Sequence, residues 1–327
     1  MATIDILNQS GSVEWYTPAV YADVARNVLG GIDLDPASCA EANRTIKADI
    51  YYTLGEGTGC EATYYDGSAR IWSDGAIQTD GLGEAWHGFR GSAGNALPAK
   101  VFLNPPYGYL TKGDYIPPCV KETDLCKRLL ASFGKVSGAF VWSWYLLHEY
   151  RAGRVGSAIL LVNNVPSEQW FHPLKYFPVC ETDHRIKFNS PSAVGSAAAQ
   201  SPDSSPGENG AGATRRDRDQ GGLRSTRANI LGQKAKPKKQ KAAQPTKGSA
   251  FIFLPDIDHF RLPPGHPPCG GQGNDLLHYE WEVHPSIAAF IGEFSKFGFI
   301  YLPNALALQM RELHRSGKVL RAEGIAA

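Results

Sequence analysis

The chain has 327 residues, of which 20% are charged and 43% hydrophobic, and its net charge is +1. That length supports a sizeable core, and it fits one large α/β domain with an insertion as well as two ordinary domains. No run of about eighteen apolar residues occurs, and the opening MATIDILNQSGSVEW lacks the basic-then-apolar pattern of a secretion signal, so a soluble cytoplasmic protein without a membrane partner is expected.

In chain order, Thr17-Pro18 followed by Val20, Tyr21, Val24, Val28 and Leu29 reads as an N-cap, a proline at the first helical position and an apolar stripe, closed by Gly30-Gly31. Ile32 to Ala37 reads as a short strand stopping at an acidic residue and a proline, where open α/β sheets place ligand groups. Ile50-Tyr51-Tyr52 is a second strand, and Gly55 to Lys100 reads mostly as loop. Val101 to Leu103 is a buried strand with Asn104 at its carboxyl end. A helix is expected from Pro118 to Phe133. A second is expected from Ala139 to Arg151, because the strand at Ala158–Val162 needs a crossover before it. A short helix follows Trp170-Phe171. Arg185–Phe188 and Ala250–Leu254 read as strands, Ser286 to Lys296 as a helix, Phe299 to Leu302 as a last strand and Ala305 to Arg315 as a terminal helix.

Residues 191–247 stand apart. They hold eleven Lys or Arg against four Asp or Glu, a local +7 that leaves the rest of the chain at −6, and they contain no aromatic residue. Such a stretch buries too little apolar surface to offset the entropy of ordering, so a disordered basic insert is expected between two parts, 1–190 and 248–327, of a single domain. The insert reads either as a solvated linker or as a basic arm that adds non-specific attraction for phosphates. Cys39, Cys60, Cys119, Cys126, Cys180 and Cys269 form no C-x-x-C pair and match no histidine spacing, which argues against a zinc site and a disulfide framework. His148, His172 and His184 read as structural or surface histidines with no metal role.

The chemistry concentrates in KVFLNPPYGY, residues 100–109. An amino group on an aromatic base is a poor nucleophile because its lone pair is delocalised into the ring. Two acceptors aimed at its N–H bonds localise that pair, and the Asn104 carboxamide oxygen with the Pro105 carbonyl supplies them. Pro105 and Pro106 stiffen the backbone so that the acceptors are already oriented. Tyr107 offers a ring face for a base taken out of its stack, an interaction worth roughly 1–3 kcal/mol.

Beyond this tetrapeptide, EWYTP at 14–18, DLDPAS at 33–38, DGL at 80–82 with Trp86, FLNPPYG at 102–108, EYRAGRV followed by AILLVNN within 149–164, EQWF at 168–171 and HRIKF at 184–188 occur in order. GSAFIFL at 248–254 and FSKFGF at 294–299 follow the insert. Together they resemble the phage-type Dam family of DNA N6-adenine methyltransferases. The resemblance implies a Rossmann-like, S-adenosylmethionine-dependent methyltransferase fold, a mixed and mostly parallel sheet flanked by helices. It implies DNA as substrate and a methyl group transferred to the exocyclic amine of a flipped adenine at a specific site. It makes Asn104, Pro105, Pro106 and Tyr107 the catalytic tetrapeptide. It places Tyr16, Thr17 and Pro18 near the methionine end of the cofactor, Asp33, Asp35, Pro36 and Ala37 near its amino group, and Asp80 on its adenine. Trp170, Phe171 and Arg185 become candidates for contact with the target strand. One departure is plain: Asp35 is followed by Pro-Ala-Ser-Cys, without the G-x-G usual in methyltransferases.

Three other readings compete with this one. Asn-Pro-Pro-Tyr serves any planar amide, so methylation of a protein glutamine is the nearest enzymatic alternative. A nucleic-acid-binding protein that keeps the fold without the reaction is another. Pro117-Pro118-Cys119 and Pro267-Pro268-Cys269 resemble a cytosine-methylating cysteine nucleophile, but neither follows an apolar strand.

Overall fold

The computed structural model describes residues 15–57, 61–63, 70–86, 97–189, 248–256, 260–261, 280–281 and 285–316. The basic insert 191–247 and Pro267-Pro268-Cys269 lie outside these residues. The first strands are β1 (Leu34–Asp35), β2 (Ile50–Thr53), β3 (Glu61–Thr63), β4 (Arg70–Trp72), β5 (Ala76–Gln78), β6 (Ala99–Leu103), β7 (Tyr109–Thr111) and β8 (Lys135–Ser137). They are followed by β9 (Val155–Asn163), β10 (Val179–Thr182), β11 (Ser249–Leu254), β12 (Phe260–Arg261), β13 (Glu280–Trp281) and β14 (Gly298–Tyr301). The helices are α1 (Ala19–Leu29), α2 (Ala40–Ile46), α3 (Pro118–Lys121), α4 (Asp124–Phe133), α5 (Gly138–Arg151), α6 (Pro285–Phe294) and α7 (Asn304–Arg315). A 3₁₀ segment spans Gln169–Tyr176.

Ten strands form one sheet in the order β14-β10-β11-β9-β6-β1-β2-β5-β4-β3. At its centre β9, β6, β1, β2 and β5 are parallel neighbours, and β11 runs antiparallel between β9 and β10. This is an α/β architecture with a mostly parallel mixed sheet flanked by helices, compatible with a Rossmann-like fold. The sequence explains why β11 is interior: SAFIFL is apolar throughout instead of alternating, and all six residues are buried, as a strand covered on both faces requires. Phe251 and Phe253 meet Phe294 and Phe290 of α6 at 4.9 and 5.1 Å between ring centres, and Tyr21 of α1 stacks on Phe251 at 5.5 Å. No helix among the described residues is long and apolar enough to cross a membrane.

Several expectations need correction. Thr17 does not cap α1: Pro18 occupies the cap position, no side chain caps the helix, and the Thr17 hydroxyl is used elsewhere. The C-terminal stop is as expected, with Gly30 in the left-handed region at φ 67°. The stretch read as loop contains β3, β4 and β5, each only three residues long and thus too short to show a period. β5 is nevertheless interior, pairing Ala76 and Ile77 with Tyr51 and Tyr52 of β2. The single helix expected from Pro118 is two, because the Thr123 hydroxyl accepts from Cys126 N and starts α4 afresh. The strand expected at Arg185–Phe188 is instead Val179–Thr182, and 185–188 runs extended outside the sheet. Its alternation is real but has another origin, since Ile186 and Phe188 are buried under the chain while Arg185 and Lys187 face out.

Candidate active site

From β1 the sheet winds outward through β2 and β5 on one side and through β6 and β9 on the other. The reversal between β1 and β6 opens a crevice at the carboxyl ends of the strands, the usual ligand position in such sheets. A cavity of about 330 Å³ lies there, bounded by Thr17, Asp35, Thr53, Asp80 and Asn104 among others. It falls in the range of small-molecule sites, roughly 300–1,000 Å³.

Most of the residues singled out in the sequence meet at this cavity. Tyr16 and Thr17, the loop of Asp35, Pro36 and Ala37, Asp80, and Asn104, Pro105 and Pro106 all line it. Pro18 starts α1 and does not line it. Asp33 stands at the opposite approach to β1, where its carboxylate accepts from Lys100 N at 2.8 Å and ties β1 to β6. Trp170 and Phe171 are buried, at 7% and 1% exposure, with the Trp170 carbonyl accepting from the Trp144 indole at 2.9 Å; they do not line the cavity. Arg185 is exposed and outside it.

Asn104 is held in a specific orientation. Its Nδ2 donates to the Trp15 carbonyl at 2.8 Å and to Thr17 Oγ1 at 3.2 Å. Both amide hydrogens are thereby taken, which fixes the carboxamide plane and leaves Oδ1 aimed away. That oxygen is buried and has no partner among the described residues. Among the same residues no donor reaches the Pro105 carbonyl. A buried acceptor without a donor costs about 1–3 kcal/mol, so such an atom marks a place that a ligand donor completes.

Asp35 is the second group of this kind. It is 3% exposed, receives the Ala37 N–H at 3.2 Å and has the Ser38 side chain against it, with no cation beside it among the described residues. Burial pushes its carboxyl up to about 7, against the opposing Ala37 backbone and Ser38 side-chain hydrogen bonds. A ligand carrying a positive charge would relieve that cost.

Asp80 combines two roles. Its Oδ1 accepts from Leu82 N at 3.0 Å, closing a tight turn, and the residue is also cavity wall. The turn lies directly on the Pro36 loop: a Cβ on Gly81 would meet the Pro36 carbonyl at 2.0 Å, so only glycine fits. The Trp86 indole donates to the Gly81 carbonyl at 2.6 Å and holds the turn from behind.

Tyr107 is half-buried, with its hydroxyl buried and unpartnered among the described residues and its pKa raised by burial. Its ring stands edge-on to Phe188 at 6.4 Å. Phe188 also stands edge-on to Trp15 at 6.4 Å, and Asn189 exchanges backbone hydrogen bonds of 3.0 Å with Tyr16. Trp15, Phe188 and Asn189 thus support the site although sequence reasoning gave them no role. EWYTP and HRIKF flagged both segments, but which backbone atom would serve the Asn104 amide depends on packing alone.

Among the described residues no group of three or more His, Cys, Asp or Glu side chains is gathered to hold a metal ion. No protein-family model, no curated protein and no solved structure matches the chain.

Proposed function

We propose that the chain is a DNA adenine N6-methyltransferase that uses S-adenosylmethionine. The observation that carries this reading is the buried, unpartnered Oδ1 of Asn104, oriented by the Trp15 carbonyl and Thr17 hydroxyl at the rim of a cavity. An oxygen so placed, beside the open Pro105 carbonyl, suits a planar amine with two N–H bonds. Accepting both hydrogens draws the nitrogen lone pair out of the ring and makes it a better nucleophile. Because the acceptors are fixed before binding, little entropy is lost when the amine arrives.

The cavity fits the cofactor in charge and position. Asp35 is a buried carboxylate with no cation beside it among the described residues, which suits an amino group, and Asp80 adds a second acidic wall. Thr17, the Asp35–Ala37 loop and Asp80 would hold the cofactor, which when bound supplies a methyl group activated on a sulfonium. The protein's own task is then alignment and exclusion of water, for which Phe102 and Trp142 provide apolar walls. The strand order, with antiparallel β11 between β9 and β10, is compatible with the methyltransferase fold that the resemblance implies.

The test is incubation of the full chain with methyl-labelled S-adenosylmethionine and either duplex DNA or cell protein. Label on adenine N6 is the expected result. Label on protein glutamine, or on neither polymer, overturns the proposal.

A further inference from the structure

After β10 the chain does not stay in the sheet. Residues 184–189 form an extended strap fastened at both ends. At its root His184 Nε2 meets the Tyr21 hydroxyl at 2.6 Å, its Nδ1 meets Asp183 at 2.6 Å, and Thr182 Oγ1 donates to the His184 carbonyl at 2.8 Å. At its far end Asn189 is bridged to Tyr16. Between these anchors the residues alternate. Ile186 and Phe188 are 2% and 4% exposed, whereas Arg185 and Lys187 are exposed.

The two faces do different things. Inward, Phe188 touches both Trp15, whose carbonyl holds Asn104, and Tyr107, so the strap's apolar face braces both ends of the tetrapeptide. Outward, two cations stand two residues apart on one face, about 6.6 Å along the chain, on the scale that separates successive phosphates of one strand. Neither is engaged by an acidic partner among the described residues, and Asp183, the nearest carboxylate in the chain, is taken by His184. The chain outside 191–247 carries 22 basic and 28 acidic residues, so two cations without an acidic partner among the described residues are a local exception to a net negative body.

We propose that the strap is a phosphate rail: Arg185 and Lys187 take the backbone phosphates that flank the target nucleotide, while Phe188 on the other face keeps the Asn104 acceptor aimed. This rests on the reading of the site as a DNA-modifying one and adds where the strand lies and which side chains hold it. Contacts of this type position a nucleic acid without reading its sequence.

The test neutralises both cations with R185Q/K187Q in the full chain, substitutions that leave the buried face of the strap intact. Affinity for a labelled duplex and its dependence on salt are measured by fluorescence anisotropy, and binding of S-adenosylmethionine by calorimetry. Loss of two phosphate contacts lowers the steepness of log affinity against log salt by about 1.8. The expected result is that drop, with weaker binding on every sequence and unchanged cofactor affinity. Wild-type affinity and salt dependence in the double variant overturn the rail. Should the wild type methylate adenine while the variant binds as before, the rail alone falls. Should the variant lose the expected contacts while the wild type methylates no DNA, the rail stands and the adenine reading falls.

Discussion

Glu149 and Asp35 are both interior carboxylates, 1% and 3% exposed, yet their surroundings differ completely. Glu149 receives both prongs of Arg154, at 2.6 and 2.7 Å, and the Trp86 backbone N–H at 2.9 Å. Asp35 receives one N–H at 3.2 Å and the Ser38 side chain, has no cation among the described residues, and faces a cavity. Two asparagines repeat the contrast. Asn43 spends its amide at both ends on Ala48, at 2.8 and 3.1 Å, whereas Asn104 spends only its NH₂ and keeps a buried oxygen open. A buried polar group whose partners are supplied by the chain is part of the scaffold. One whose partners are missing at the mouth of a cavity identifies a ligand site.

The sharpest way to break this contrast is Asn104→Ala. Removing the open acceptor is expected to lower turnover by about 10²–10³-fold, the usual cost of a lost preorganised group, with cofactor affinity nearly unchanged. Single-turnover methylation and calorimetry check this, and undiminished turnover would sink the assignment. On the scaffold side, Arg154→Met strands Glu149 in the interior and is expected to cost about 3 kcal/mol, the low end for a broken buried pair because Arg154 is partly exposed. A denaturant midpoint with unchanged slope measures it; a loss below about 1 kcal/mol would place the knot with ordinary surface pairs.

Asp35 offers a comparison in pH. Burial holds its carboxyl up at about 7 against an ordinary 3.8, so over that range the folded state keeps a proton that the unfolded chain has released. Its contribution to stability is therefore full below 3.8 and is lost as pH rises through about 7. Asp35→Asn is expected to remove that dependence, so that the variant's melting temperature falls less than the wild type's between about pH 5 and pH 8. A cationic ligand binds the ionised form, so wild-type cofactor affinity is expected to rise about tenfold per pH unit up to about 7 and then level off, which calorimetry across pH tests. The smallest effect belongs to Thr17→Val, which removes one of two acceptors on the Asn104 amide. About 1 kcal/mol, or roughly a five-fold fall in turnover, is expected, with Thr17→Ser restoring it. Equal loss in both variants would show that the methyl group of Thr17, and not its oxygen, matters.

Much of this was legible in advance where the signal is local. Val101–Leu103 is apolar and bounded by Asn104 and two prolines, so its end could be placed to the residue. Ala250–Leu254 could be read as a strand from its apolar run. β5 was not legible, because three residues carry no period and its place beside β2 comes from pairing. The 184–189 strap misled for the opposite reason: it has strand-like alternation without strand partners. Asp33 and Asp35 look equivalent in the sequence, yet two residues along a strand put one on the Lys100 backbone and the other on the cavity wall.

The sequence by itself determined the longer elements, the candidate tetrapeptide and the uneven distribution of charge, because propensity, prolines and composition act over a few neighbouring residues. Only the tertiary structure decided that Trp15 and Thr17, 89 and 87 residues away in the chain, take the two amide hydrogens of Asn104 and leave its oxygen open. That outcome depends on the register of β6 and on the 184–189 strap closing over residue 15, and contacts across such distances are set by how the whole core packs.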